Sequence, residues 1–275
     1  MIPEALLLEK VKPKPSEHKD FKQKSGYPKS VTVCIAASCQ EGKESRVVLC
    51  SDTRIDYAEF GSTNVACKLD VLGHGWCVQM AGDWSSAIGL NSTLKERIRT
   101  LSSVETADVL KESEAAVKQF MKSPLYDSNK EVQLLLSGFE DTTPCIVEIS
   151  IIQGNKKVEL KHSFGVVGWG TTIAATLLTL REHNESMPLA YVAYLVYEAK
   201  RASEKTGFVG RFTTLVVQSP NISDFKDKAY VKIMGEAGLA QLEAYYRGLW
   251  KIPVARFPDL TPEMFLNSKE PQSPQ

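Results

Sequence analysis

The sequence predicts an α+β fold: a four-layer αββα sandwich, with two antiparallel sheets between two helix layers. Three observations predict it. Strand-like and helix-like segments come in blocks and do not alternate, which argues against a doubly wound parallel sheet. The first two apolar runs, 32–39 and 45–52, flank a short polar turn, as in a hairpin. Two pairs of helical segments each need a face to cover, and two stacked sheets offer two outer faces.

The first block reads as four strands. "TVCIAASC" (32–39) and "SRVVLCSD" (45–52) flank "QEGKE", with Gly42 in the turn. "NVACKLDVL" (64–72) and "GWCVQMAG" (75–82) make a second hairpin across Gly73, His74 and Gly75. Two helices follow. The first lies within 83–101 and sets Trp84, Ala87, Ile88, Leu94, Ile98 and Leu101 on one face. The second lies within 103–123, with Ser103 as its candidate cap. "EVQLLLSGF", "PCIVEISII" and "KKVELKHS" return to strands between 131 and 163. Helices are expected at 171–183 and 187–205, the second capped by Ser186 with Pro188 in its first turn. "RFTTLVVQS" and "KAYVKIM" are strands, and "EAGLAQLEAYYRGLW" closes the domain as a helix. The aromatics of that helix and of "YVAYLVYEAKRA" recur at helical spacing and read as core or subunit-contact stripes. Residues 1–30 are Lys- and Pro-rich with few apolar groups, and predict a flexible leader or propeptide. The folded domain is then 31–255, and the proline-rich segment 256–275 is a flexible tail.

Composition narrows the function. Lys+Arg and Asp+Glu both number 33, so no charge excess points to nucleic acid or an anionic membrane. No apolar run is long enough to span a bilayer as a helix. The six cysteines (34, 39, 50, 67, 77 and 145) form no CxxC pair, and the four histidines are scattered, so no tetrahedral metal set stands out. Reduced, buried thiols in a cytoplasmic protein are the expectation. No metal or organic cofactor is implied.

Three residues of the first half could carry chemistry. Asp52 ends the second strand, Lys68 lies early in the next hairpin, and Gly82 closes that hairpin before a helix. Read alone, Asp52 and Lys68 form an ion pair that holds two hairpins together, because an unpaired buried charge is costly. The same pair could tune a nucleophile. Cys34 shares a strand face with Thr32 and is either a second candidate nucleophile or a core thiol. The glycine-rich "GVVGWGTT" opens a helix and could hold an anion, although Rossmann and Walker spacings are missing.

Taken together, "TVCIAA…VVLCSDTR…STNVACKL…VQMAGDW" resembles the first half of a proteasome-type N-terminal-nucleophile hydrolase. It is similar above all to the small bacterial proteasome-like proteins of the Anbu group. The resemblance covers most of residues 32–250 and is most specific at 32–84. It implies that Thr32 is the nucleophile, with Asp52 and Lys68 beside it and the Gly82 backbone N–H as oxyanion donor. The Asp52-to-Lys68 and Lys68-to-Gly82 spacings match without gaps. "SFGVVGWGTTIAATLL" stands where the family has a Gly-Ser-Gly turn; Trp169 takes the serine's place and Gly170 follows it. Ser203 and Thr206 fall near the family's supporting Asp and Ser. The physical logic agrees: a threonine hydroxyl needs a base, and a free α-amine with a pKa of about 7.7–8.0 can serve. The chain must then begin at Thr32, through loss of the leader or initiation at Val31.

The resemblance therefore implies a threonine-dependent amide hydrolase, a self-assembling peptidase acting without a cofactor. Two alternatives stand beside it. One is a non-catalytic proteasome-like subunit, favoured by Trp169 and by the lack of a clear supporting Asp. The other is an amidohydrolase of the same fold acting on a small amide. Family proteins form rings, so a homo-oligomer is expected.

Overall fold

The computed structural model describes residues 32–53, 55–57, 61–63, 68–101, 105–207, 209–220 and 230–249. The leader, the C-terminal tail, Ser103 and Cys67 lie outside the described residues.

β1 (Val33–Glu41) and β2 (Glu44–Asp52) are the hairpin read from the sequence, turning at Gly42 with φ 65°. Two short strands follow, β3 (Ile55–Tyr57) and β4 (Gly61–Thr63). They make a separate two-stranded ribbon that no apolar run announces. β5 (Leu69–Gly73) and β6 (Trp76–Gly82) turn through His74 and Gly75, both at positive φ as a type I′ turn requires. Next come α1 (Trp84–Arg99), α2 (Thr106–Phe120), β7 (Val132–Glu140), β8 (Thr143–Ile152), β9 (Asn155–Lys161) and β10 (Phe164–Gly168). α3 (Thr171–Leu180), α4 (Leu189–Ser203), β11 (Thr213–Ser219), β12 (Tyr230–Ile233) and α5 (Glu236–Leu249) complete the order.

One sheet runs β10-β1-β2-β11-β12 and the other β5-β6-β7-β8-β9, and every pairing in both is antiparallel. Period-two alternation sorts the side chains of β1. Val33, Ile35 and Ala37 pack against α3, α4 and α5 through Ala174, Leu178, Val192, Val196 and Leu242. Cys34 and Ala36 point the other way, onto Ala81, Leu135 and Ile146 of the second sheet. That sheet's outer face carries α1 and α2 through Leu90, Leu94, Val117 and Phe120. Four layers result, as the sequence predicts. Because both faces are covered, β1 and β2 read as unbroken apolar runs. Buried amides pin the sheets together. Gln79 Nε2 donates to Cys50 O at 3.0 Å, and Gln218 Nε2 donates to Gly75 O at 2.7 Å.

Several local expectations need correction. Ile88 is exposed, and Leu90 takes the core position on α1. Ser186 does not cap α4: its hydroxyl donates to Asn184 Oδ1 at 2.6 Å, and Pro188 occupies the N-cap. The segment read as a glycine-rich turn holds a full strand, β10, before the turn begins. The aromatic stripes divide: Tyr197 and Tyr246 are buried edge-to-face between α4 and α5, whereas Tyr191 and Tyr245 are exposed. The five described cysteines are free and buried. Among the described residues, no helix is long and apolar enough to cross a membrane.

Candidate active site

Thr32 immediately precedes β1, the strand clamped between β10 and β2. The clamp depends on close backbone approach. Gly168 ends β10 with φ 97°, and a Cβ there would stand 2.3 Å from the Thr32 carbonyl oxygen. That carbonyl accepts the Gly170 N–H at 3.3 Å. Gln133 on β7 braces the same turn, its Oε1 accepting the Gly168 N–H at 2.6 Å.

Register delivers the carboxylate. Cys34 stands opposite Ser51, so Asp52 lies level with Val33 at the sheet end. Asp52 Oδ1 accepts the Val33 N–H at 3.2 Å, and Oδ2 accepts the Gly210 N–H at 3.1 Å. Lys68 arrives from the second sheet at the foot of β5, where its carbonyl accepts the Met80 N–H at 2.9 Å. Its ammonium donates to Asp52 Oδ1 at 3.0 Å and to Thr32 Oγ1. Thr32 is 5% exposed, Lys68 3% and Asp52 fully buried, so all three groups interact in a medium far less polar than water.

The end of β6 lies beside this cluster. Cys34 Sγ donates to Met80 O at 3.5 Å, and Ala81 packs against the Gly168 turn. Gly82 follows with φ 99°; a Cβ there would stand 2.3 Å from Glu131 O, so the position requires glycine. Gly82 also begins the step into α1, whose N-cap Asp83 accepts the Ser86 N–H. Burial pushes the Cys34 thiol well above its ordinary pKa, and the nearby Lys68 charge only partly opposes this. The thiol is therefore a core group bonded to a carbonyl rather than an activated nucleophile.

The second-half residues gather at the Gly168–Gly170 turn. Gly170 is wedged between sheet and helix: a Cβ there would stand 2.8 Å from Ser203 Cβ and 2.9 Å from Val33 Cβ. Ser203 Oγ donates to Gly170 O at 3.2 Å and to Ala199 O at 2.9 Å. Thr206 stands one step further back, its hydroxyl donating to Ser203 O at 2.9 Å. Trp169, at the apex of the turn, is 38% exposed.

These distances bring a hydroxyl, an ammonium and a carboxylate together at the head of the strand hairpin of one sheet, beneath a glycine turn. This is the proteasome-type N-terminal-nucleophile hydrolase fold. The structure resembles an Anbu mutant from Hyphomicrobium sp. strain MC1, with a TM-score of 0.63 and 14% identity, covering 84% of this chain and 99% of that one. It resembles Anbu (ancestral beta-subunit) from Yersinia bercovieri, with a TM-score of 0.62 and 16% identity, over 83% and 98% of the two chains. It resembles eukaryotic HslV from Trypanosoma brucei, with a TM-score of 0.52 and 19% identity, over 67% and 98%. No family model and no curated protein matches the sequence. The shared property of this N-terminal-nucleophile fold is architecture; the chemistry rests on the residues themselves.

Sequence reading missed the Gly210 amide and two side chains of the site. Gln133 reads as an ordinary strand residue and gives no signal. Lys200 gives one: it is a lysine inside the apolar helix "YVAYLVYEAKRAS" with Glu204 one turn on. It is fully buried, and that burial lowers its pKa against the opposing pull of Glu204.

Proposed function

We propose that the chain is a threonine-dependent amide hydrolase, a proteasome-like peptidase whose working form begins at Thr32. One observation carries the reading: the buried Lys68 ammonium, anchored by Asp52, donates to the Thr32 hydroxyl. A cation at that place lowers the energy of the alkoxide that forms during attack, and Asp52 holds the cation in place. The Thr32 α-amine takes the hydroxyl proton as Oγ1 bonds to the substrate carbonyl carbon. The C–N bond breaks, the leaving amine carries off that proton, and an ester remains on Thr32. Water then attacks the ester with the amine again as base, which releases the acid and restores threonine. The Gly82 N–H is assigned to the oxyanion, a contribution on the order of 3 kcal/mol in comparable sites.

The substrate is a peptide, with a small amide as the narrower alternative. The description of one structural neighbour as a beta-subunit supports a homo-oligomer, in a ring or as stacked dimers, and the composition supports a cytoplasmic location. One observation favours a non-catalytic subunit instead. Trp169 stands on the turn beside Thr32, and its indole can donate a hydrogen bond but cannot relay a proton. Intact mass and N-terminal sequencing of the purified protein, followed by peptide and small-amide assays, decide between them. The enzyme reading requires a chain that starts at Thr32 and activity that Thr32→Ala abolishes. A leader retained in the native host, with turnover indifferent to Thr32→Ala, would establish the non-catalytic subunit.

A further inference from the structure

We propose that Lys200 is a positioning residue for the Thr32 site, acting through the Val209–Arg211 segment that holds Asp52. The inference rests on the hydrolase reading above. Lys200 lies near the end of α4 with no exposed surface. Its ammonium donates to Arg211 O at 2.9 Å and pairs with Glu204 one helical turn on. Arg211 follows Gly210, the residue whose N–H binds Asp52 Oδ2 at 3.1 Å. Asp52 in turn holds Lys68, and Lys68 reaches Thr32 Oγ1. A connected path therefore runs from Lys200 through Arg211, Gly210, Asp52 and Lys68 to the nucleophile.

Regular sheet pairing does not do this work. β11 pairs with β2 only from Thr213 opposite Asp52 onward, so Gly210 and Arg211 lie outside the ladder. The chain reaches them from Gly207 in the left-handed region with φ 78°. Something other than strand pairing must hold that backbone, and the Lys200 ammonium is bonded to it. A buried ammonium is costly unless its hydrogen bonds are used, and a methionine would fill similar space without that cost. The carbonyl bond to Arg211 is what the charge supplies here. A mere helix-end staple would need only the pair with Glu204, whose second oxygen already takes Arg201 Nη1 at 2.6 Å.

The test compares wild type, Lys200→Met and a surface control, Lys118→Met, all as chains beginning at Thr32. Lys118 is exposed on α2 and pairs with the exposed Glu114. Amide hydrogen exchange and steady-state peptide hydrolysis are measured on each. In Lys200→Met the Gly210 amide is expected to exchange at least tenfold faster, while the amides of Leu215 and Val216 in β11 keep their protection. kcat is expected to fall at least tenfold, with KM within threefold of wild type. Lys118→Met should match wild type in both assays. If Lys200→Met fails to fold, the double variant Lys200→Met with Glu204→Gln removes the carboxylate that has lost one of its two cations and is measured in its place. A Gly210 amide as protected as in wild type overturns the proposal, and so does faster exchange with unchanged kcat. A wild-type chain starting at Thr32 that hydrolyses no amide refutes the hydrolase reading and this role together. Loss confined to the Lys200 variants leaves that reading intact and supports the role.

Discussion

Asp52→Asn is the perturbation that probes the site most directly. The substitution preserves size and removes one charge. The Lys68 side chain, 3% exposed, then lacks the carboxylate that sits 3.0 Å away in the native protein. The two backbone donors, Val33 N–H at 3.2 Å and Gly210 N–H at 3.1 Å, meet an amide with a single oxygen. At least one donor therefore faces an NH2 group. Breaking a buried pair by removing one partner costs about 3–5 kcal/mol. For a folded body of this size, each kcal/mol lowers Tm by about 2–4 °C, so a fall of roughly 6–20 °C is expected.

The double variant turns that magnitude into a test of cause. Adding Lys68→Met to Asp52→Asn removes the orphaned charge and leaves an apolar chain in an apolar seam. Urea unfolding of the four proteins in a double-mutant cycle should give a coupling of about 2–3 kcal/mol, with the double variant more stable than Asp52→Asn alone. Hydrolysis should stay lost in all three variants, because stability returns without the cation at Thr32 Oγ1. If the two single losses simply add in the double variant, the buried pair is not coupled as the geometry requires and the reasoning fails.

Three further outcomes are expected. Gly168→Ala should lower stability by about 1–3 kcal/mol and reduce kcat, since φ 97° is strained for any side chain and the added carbon meets the Thr32 carbonyl; unchanged melting would refute the close approach. Cys34→Ala should retain most activity and alkylating reagents should not inhibit the wild type, because burial raises the thiol pKa; inactivation of the alanine variant would restore Cys34 as a nucleophile. His183 is buried against Phe164 with its Nε2 on Ser38 O, and burial lowers its pKa below 6.5. The folded state therefore binds fewer protons than the unfolded state as pH falls through 6.5. Stability from this residue is complete above that pH and declines below it, by at most about 1.4 kcal/mol per pH unit. His183→Gln should flatten the pH dependence of Tm between pH 7 and 5, and an unchanged slope would refute the assignment.

Much of the architecture was legible because its signals are local. The αββα sandwich followed from block order and from apolar runs buried on both faces, as in β1 and β2. Asp52 and Lys68 were legible because charges inside apolar strands must find partners. β3 and β4 were not, since a three-residue ribbon carries no periodicity. β10 was hidden because Gly165 and Gly168 read as turn residues. Each is glycine for space: a Cβ on Gly165 would meet Leu135 Cδ1 at 2.7 Å. Gln133 and the Gly210 amide could not be read at all. Their roles exist only after distant strands meet, and a backbone N–H carries no residue-type signal.

The energetics of burial bear on what the site is for. A buried ion pair is often no more stabilising than apolar groups of similar volume, because desolvation consumes the Coulombic gain. The register of β2 is already set by its ladders with β1 and β11, and Gln79 and Gln218 already tie the two sheets. Asp52 still serves the fold by accepting the Val33 and Gly210 N–H groups, but nothing in those ladders requires the Lys68 ammonium beside it. What an apolar pair cannot supply is a fixed positive charge on a threonine hydroxyl at the head of a strand. Lys200 extends the argument, since a second buried ammonium braces the backbone that holds the carboxylate. One buried cation set between a carboxylate and a hydroxyl, with a second bracing the backbone that holds that carboxylate, is a poor way to build stability and an effective way to hold an alkoxide.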